Sequence, residues 1–238
     1  IKVFKKLREA GHKPVGIRLD SGDLAYLSKK ARAMLDEAGF TDAIIFASND
    51  IDENLISQLR LQDAKIDVYG VGTRLITSHD TPSLGGVYKL AEIERDGVRY
   101  PRMKFSDTTV KMTNPGFKTV YRIYEKASGK AFADLITLAE DDELGKPLTL
   151  THAVDRWKST TLEDYEACKL HKQIFKNGEC VYEVPPLGES VKFSQNEMDR
   201  FWDEYKRLSN PHVYKVDLSD KLYALKLSLI EAKNQTRS

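Results

Sequence analysis

Cysteine is scarce in this chain, and so are the other features that would assign it quickly. Only Cys168 and Cys180 occur in 238 residues, too few for a disulfide framework, so a reducing cytoplasm is the default expectation. Together with His171 they invite a zinc reading, but the spacing fits no common zinc pattern and a fourth ligand is not evident. No apolar run reaches the 18 residues that a membrane-spanning helix needs, and no signal-peptide pattern is present. Neither sign of charge dominates, with 37 Lys and Arg against 36 Asp and Glu, which removes the electrostatic argument for a nucleic-acid or membrane partner. No internal repeat, low-complexity tract or nucleophilic triad is visible. What remains is the make-up of a soluble globular protein, 41% hydrophobic with negative mean hydropathy, long enough for one large domain or two modest ones.

The chain opens at Ile1, without methionine and already inside an amphipathic pattern (Ile1, Val3, Phe4, Leu7) that Gly11 stops. A helix entered partway through gives the expectation of a fragment of a longer polypeptide. Pro14–Leu19 then has the length of a strand. Leu24, Leu27, Ala31, Met34, Leu35 and Ala38 recur at helical spacing and Gly39 ends them. Ala43–Ala47 is continuously apolar, as expected of a strand covered on both faces. Asp50 or Asp52 caps a helix carrying Leu55, Ile56, Leu59 and Leu61, and Ile66–Tyr69 is a third strand. Strand and helix alternate at about 25-residue spacing, which predicts right-handed βαβ units in a parallel sheet. Three units cannot close a barrel of eight, which takes about 250 residues. Either the sheet is open or further strands precede Ile1, and the truncated opening favours the second.

From Gly85 the character changes. Val87–Glu94 and Val98–Phe105 read as a hairpin about Asp96-Gly97, Asn114-Pro115-Gly116 as a turn, and Lys118–Glu125 and Ala131–Leu138 as strands. Beyond them the pattern is mixed. It predicts a helix over Thr161–Phe175 and a break at Pro185-Pro186. Ser194-Gln195-Asn196-Glu197 reads as a capping box for a helix to about Leu208, with Phe201, Trp202, Tyr205 and Leu208 facing a core. Ser219 caps a last helix. The domains expected are 1–86, an α/β sheet; 87–138, a β-rich antiparallel module; and 139–238, a mixed, largely helical extension.

Three strand ends carry chemistry. Arg18-Leu19-Asp20-Ser21-Gly22-Asp23 sets a guanidinium and two carboxylates beside a glycine where a helix begins. In α/β sheets, ligands sit on such turns at the carboxyl ends of strands. An arginine there can clamp a carboxylate or stack on a ring, and an aspartate can hold sugar hydroxyls or face a developing cation. The plainer alternative makes Asp20 or Ser21 the helix N-cap and Arg18 a buried ion-pair partner. Asn49-Asp50 adds a carboxylate at the second strand end, with helix capping again the alternative. Gly70-Val71-Gly72-Thr73-Arg74 lets the backbone approach a ligand closely, and its amides would attract an anion, unless it is only a tight turn. His79 lies near enough to reach this region, or is an ordinary loop residue. The set suits an anionic, phosphorylated sugar beside a flat anionic ring. A Schiff-base enzyme would need a lysine at a strand end, and neither Lys65, before the third strand, nor Lys89, on the hairpin, fits.

These motifs, together with Ser48-Asn49-Asp50-Ile51-Asp52-Glu53, Pro82-Ser83-Leu84-Gly85-Gly86-Val87-Tyr88-Lys89-Leu90, Lys104-Phe105-Ser106 and Asn114-Pro115-Gly116-Phe117-Lys118, resemble the nicotinate phosphoribosyltransferase family. The resemblance is specific from Ile1 to about Leu138 and looser beyond. It implies part of an irregular TIM-like α/β barrel of the type II phosphoribosyltransferases, followed by a β-rich module and a mixed α/β C-terminal extension. It also implies NAD salvage, in which nicotinate and phosphoribosyl pyrophosphate give nicotinate mononucleotide and pyrophosphate. ATP hydrolysis would be coupled through a phosphorylated histidine, and Mg²⁺ would accompany the pyrophosphate. By this resemblance Arg18 holds nicotinate, Asp20 gives electrostatic help, and Asp20 and Asp50 address the ribose hydroxyls. Gly72 and Thr73 take the 5′-phosphate, and Ser21, Gly22, Asn49 and Gly70 complete the phosphoribosyl pyrophosphate site. The phospho-accepting histidine would lie upstream of Ile1, so this chain alone would be inactive. A homodimer is implied as well. The remaining alternatives are a type II enzyme acting on nicotinamide or quinolinate, and a non-catalytic phosphate-binding remnant.

Overall fold

The computed structural model describes residues 1–83, 85–108, 111–141 and 144–235. Leu84, in the Pro82–Leu90 motif, lies outside the described residues. The chain divides into two compact units, Ile1–Gly86 and Val87–Ser238.

The first unit runs α1 (Lys2–Glu9), β1 (Gly16–Leu19), α2 (Leu24–Glu37), β2 (Ile44–Ala47), α3 (Glu53–Leu61), β3 (Val68–Tyr69) and the single turn α4 (Thr73–Ile76). Its strands form one sheet in the order β1-β2-β3, every pairing parallel. Register sets Leu19 beside Ala47 and Ala47 beside Tyr69, so the three carboxyl ends finish side by side. Two close approaches require glycine. A Cβ on Gly16 would collide with the Ile44 carbonyl oxygen, and one on Gly70 would stand 2.7 Å from the Phe46 ring.

Two apolar clusters hold the unit. Phe4, Leu35, Phe40, Ala43 and Ile45 form one, with Phe4 and Phe40 edge to face at 5.2 Å. Leu24, Ala25, Ala47, Ile51 and Leu59 form the other. The expectation of a strand covered on both faces is met only in part: Ile45 and Ala47 are fully buried while Ile44 and Phe46 are half-buried. Asp23 caps α2 by accepting from the Tyr26 amide, and Asp52 caps α3 by accepting from the Leu55 amide. The capping alternatives for Asp20, Ser21 and Asp50 are thereby corrected, since other carboxylates already take those amides.

The second unit begins with a hairpin, β4 (Glu92–Arg95) and β5 (Val98–Pro101). Asp96 (φ 51°) and Gly97 (φ 74°) both adopt the left-handed conformation of a two-residue type I′ turn. Next come β6 (Lys118–Glu125), β7 (Ala131–Leu138), β8 (Leu148–Thr151), β9 (Ser159–Leu162), β10 (Tyr165–Lys169), β11 (Phe175–Lys176), β12 (Glu179–Cys180), α5 (Leu187–Asp199), β13 (Val216–Leu218) and α6 (Asp220–Gln235). Four strands form the main sheet in the order β10-β6-β7-β13, antiparallel except for β13 against β7. Its apolar face packs Tyr121, Ile123, Ala133 and Leu135 with Leu148, Leu150 and Tyr165. The Asn114-Pro115-Gly116 turn is gathered by the Lys118 ammonium, which donates to the Asn114 and Gly116 carbonyls at 2.8 and 2.5 Å. Lys226 donates to the Asn114 side chain at 2.9 Å.

Three expectations fail here. Thr161–Phe175 is not a helix: it holds parts of β9 and β11 with all of β10, because Tyr165–Lys169 pairs with Tyr121–Glu125, and sheet pairing overrides a weak helical pattern. Ser194 lies inside α5, which starts at Leu187 after Pro186 and ends at Asp199. Of the residues expected to face a core from that helix, Phe201 and Tyr205 instead pack against Tyr214 at 5.2 and 5.3 Å, while Trp202 and Leu208 are exposed. Nor is 139–238 largely helical, and since β10 and β13 complete the sheet of β6 and β7, the division at residue 138 cuts through one sheet.

The other face of this sheet carries a charged seam. Arg122 and Asp134 stand opposite each other on β6 and β7 and pair bidentately at 2.9 and 3.1 Å. Tyr214 donates to Asp134 at 3.0 Å and Tyr124 donates to Glu197 of α5 at 3.0 Å. The bond to Asp134 holds the Arg122 pKa above its ordinary value, while burial and then the Asp134 charge push the Tyr214 phenol well up. Arg122 Nη1 also lies 3.4 Å from Glu197, so removing the Asp134 charge leaves the enclosed guanidinium only partly compensated. Asp134→Asn is therefore expected to destabilise the second unit by about 2–3 kcal/mol, measured by denaturant unfolding; a loss within error would contradict it.

Asp217 on β13 is 3% exposed, and its Oδ1 has no hydrogen-bond partner among the described residues. Burial raises its pKa above the ordinary 3.8 despite the nearby charges of His152 and Lys215. A carboxyl with a raised folded pKa is harmless while protonated, and it costs stability as pH climbs from about 4 through that raised value. Asp217→Asn is expected to be more stable than the parent at pH 7, with the difference closing toward pH 4. Melting temperatures at the two pH values measure this; an equal difference at both contradicts it.

Candidate active site

The candidate site is built at the adjacent ends of β1, β2 and β3, within the first unit. Arg18 is the third residue of β1, and Asp20 follows the strand directly. Arg18 Nε donates to Ser48 Oγ at 2.9 Å, and Arg18 Nη2 donates to Asp20 Oδ1 at 2.9 Å. Ser48 Oγ donates to the same Asp20 oxygen at 2.5 Å. Three side chains from two neighbouring strand ends thus close a ring of hydrogen bonds. Ser48 itself is fixed by its amide, which donates to the Leu19 carbonyl at 2.9 Å.

Exposure decides between the readings of this cluster. The side chains of Arg18 and Asp20 are 61% and 58% exposed, so Arg18 is not the buried ion-pair partner that one reading of the sequence allowed. Ion pairs so open to water contribute about 0–1 kcal/mol to stability. The ring therefore does little for the fold and fixes two charged groups facing solvent. Arg18 Nη1 keeps no partner among the hydrogen bonds of the described residues, which leaves the Nη1–Nη2 edge open to a planar anion.

The second strand end adds Asn49 and Asp50, exposed and consecutive in the left-handed region at φ 106° and 46°. Asparagine and aspartate tolerate that region better than other non-glycine residues, and such strained positions cluster at ligand sites. At the third end, Gly70 donates its amide to the Ala47 carbonyl at 2.7 Å. Gly72 is the N-cap residue of α4; a Cβ there would meet nothing within 4 Å, so the space beside it is open. Thr73 is exposed, as are Ser21 and Gly22. The structure joins Arg18 to Asp20 by direct bonds and aligns the β2 and β3 ends beside them. No described bond joins Asp50 or Thr73 to that ring.

Sequence reasoning placed Ser48 in the turn and in the Ser48–Glu53 motif but gave it no role in the site. It also missed a cavity of about 380 Å³ beside the third turn, lined by Asp52, Glu53, Val71, Arg74, Leu75, Ser78, His79, Asp80 and Thr81. Arg74 Nη1 lies 2.9 Å from His79 Nδ1, and that nitrogen lies 3.3 Å from Asp80 Oδ1. Arg18, Asp20, Asp50 and Thr73 do not line this cavity. Among the described residues, no three His, Cys, Asp or Glu side chains come together to hold a metal ion. Cys168 and Cys180 are free and exposed. No described helix is long and apolar enough to cross a membrane.

Residues 117–226 match the nicotinate phosphoribosyltransferase C-terminal domain. The nicotinate phosphoribosyltransferase of Bacillus subtilis is 46% identical over 217 residues, covering 91% of this chain and 44% of that protein. That of Dictyostelium discoideum is 34% identical over 239 residues, covering 94% and 40%. The crystal structure of human nicotinic acid phosphoribosyltransferase superimposes with a TM-score of 0.65 at 27% identity, covering 92% of this chain and 41% of the human one. The chain thus spans about two fifths of the length of the relatives it matches. With motifs, sequence and architecture in agreement, the chain belongs to the nicotinate phosphoribosyltransferase family.

Proposed function

We propose that the protein carrying this chain joins nicotinate to phosphoribosyl pyrophosphate, giving nicotinate mononucleotide and pyrophosphate for NAD salvage. The observation that carries the reading is the Arg18–Ser48–Asp20 ring: an exposed guanidinium with a free edge, held against a carboxylate at the tips of adjacent parallel strands. Chemistry follows from these groups. The pyridine nitrogen attacks the anomeric carbon, the carbon–oxygen bond to pyrophosphate breaks, and pyrophosphate leaves with the bonding pair. Positive charge grows on the sugar as that bond lengthens, and the Asp20 or Asp50 carboxylate stabilises it where it develops. Arg18 grips the nicotinate carboxylate along its open edge and aligns the ring nitrogen with the sugar, an orientation effect. Gly72 and Thr73, beside open space, receive the 5′-phosphate, and Ser21, Gly22, Asn49 and Gly70 frame the rest of the phosphoribosyl group.

The finer features belong to the same proposal. The three-stranded parallel sheet is read as part of an irregular α/β barrel, with ATP hydrolysis coupled to synthesis and a homodimer as the working assembly. The two free cysteines suit a reducing compartment such as the cytoplasm. Mg²⁺ would neutralise pyrophosphate charge, but this chain's described residues form no cage for it, and no step above runs through the ion.

Steady-state kinetics on the intact gene product test the assignment. Arg18→Ala is expected to raise the nicotinate KM about ten-fold or more, as befits a charged hydrogen bond lost on binding, with a smaller effect on kcat. Asp20→Asn is expected to lower kcat about ten-fold or more through lost transition-state stabilisation. Unchanged constants in both folded variants would remove the site. Faster turnover of nicotinamide or quinolinate than of nicotinate by the parent would replace the substrate.

A further inference from the structure

We propose that Ser48 is a positioning residue that sets the direction in which the Arg18 guanidinium presents its open edge to a ligand carboxylate, an inference that rests on the nicotinate reading above. A guanidinium offers two forks, one between Nε and Nη2 and one between Nη1 and Nη2. Ser48 Oγ and Asp20 Oδ1 occupy the first, each accepting at 2.9 Å. The second fork is the one left to a ligand. Ser48 fixes the direction of that second fork because its hydroxyl both accepts from Arg18 and donates to Asp20. It thus stands between two groups that would otherwise pair fork to fork, as arginine and carboxylate prefer. Without it, Nε loses its acceptor, Asp20 is free to take Nε and Nη2 together, and the guanidinium turns with it.

The serine is also the fixed member of the ring. It is 9% exposed, whereas the arginine and aspartate side chains are largely open. Its amide is bonded to Leu19 of β1, and its Cβ lies 3.4 Å from where a Cβ on Gly70 would stand. A short hydroxyl anchored by β1 and bounded by the β3 end loses little entropy in holding a long guanidinium, which otherwise has many rotamers. No stability argument accounts for such an arrangement of solvent-facing charges. As a means of presenting Arg18 in one orientation it has a physical purpose.

The test compares kcat/KM for nicotinate with kcat/KM for nicotinamide in the intact gene product. Any loss routed through Asp20 falls on both substrates and cancels in the ratio, whereas a misdirected Arg18 affects only the acid. Ser48→Ala is expected to reduce the acid-to-amide ratio about ten-fold, chiefly through the nicotinate KM, and Ser48→Thr, which keeps the hydroxyl, to restore most of it. Should the alanine variant not fold, Ser48→Cys keeps the volume with a poor hydrogen-bonding sulfur and is expected to lose the same ratio. A ratio equal to the parent's in the folded alanine or cysteine variant, or left low by threonine, overturns the inference while the functional reading stands. A parent protein that does not turn over nicotinate removes the functional reading, and this inference with it.

Discussion

Parallel pairing of three short strands is the constraint on which the candidate chemistry depends. The registers of β1 with β2 and of β2 with β3 bring Leu19, Ala47 and Tyr69 into line. The next residues, Asp20, Ser48 and Gly70, therefore emerge at the same level from adjacent tips. This closeness depends on two positions where a methyl group does not fit, Gly16 against the Ile44 carbonyl and Gly70 against the Phe46 ring. The hydroxyl that ties Arg18 to Asp20 comes from the middle strand, so a shift of one residue in register would break the ring and turn every side chain to the opposite face.

Much of this was legible in the residues, because the signals were local. Helical spacing from Leu24, glycine stops at Gly11 and Gly39, and an Asp-Gly hairpin turn each report on a few neighbours, and the structure has all of them. The carboxylates at the first two strand ends looked ambiguous because two aspartates lay at each, Asp20 with Asp23 and Asp50 with Asp52, either of which could cap the following helix. Only coordinates could show that Asp23 and Asp52 take the capping amides and leave Asp20 and Asp50 at the tips. The errors gathered between Thr161 and Leu208, where the decisive partners are distant in sequence. Tyr165 pairs with Glu125, and Tyr214 gathers Phe201 and Tyr205. The bonding role of Ser48 was hidden for the same reason, since its partners Arg18 and Asp20 lie 30 and 28 residues away.

The two units handle charge in opposite ways. In the second, Arg122, Asp134, Glu197 and two phenols are drawn together on one sheet face, with the Arg122 and Asp134 side chains only 18% and 14% exposed. Such a seam satisfies every charge internally and has little left for a ligand. In the first, Arg18 and Asp20 stand in water with bonding capacity unspent. Similar residue types serve as mortar in one place and as recognition in the other, and solvent access is what separates the two.

The boundary at Gly86 and Val87 carries a consequence for how such chains are classified. The domain match at residues 117–226 falls wholly within the second unit, whereas every residue proposed to touch substrate falls within the first. A homologue could conserve the recognisable module intact while its strand tips drifted to a new ligand, or to none. A match confined to the second unit therefore does not by itself carry the proposed chemistry, which rests on residues such as Arg18, Asp20 and Ser48.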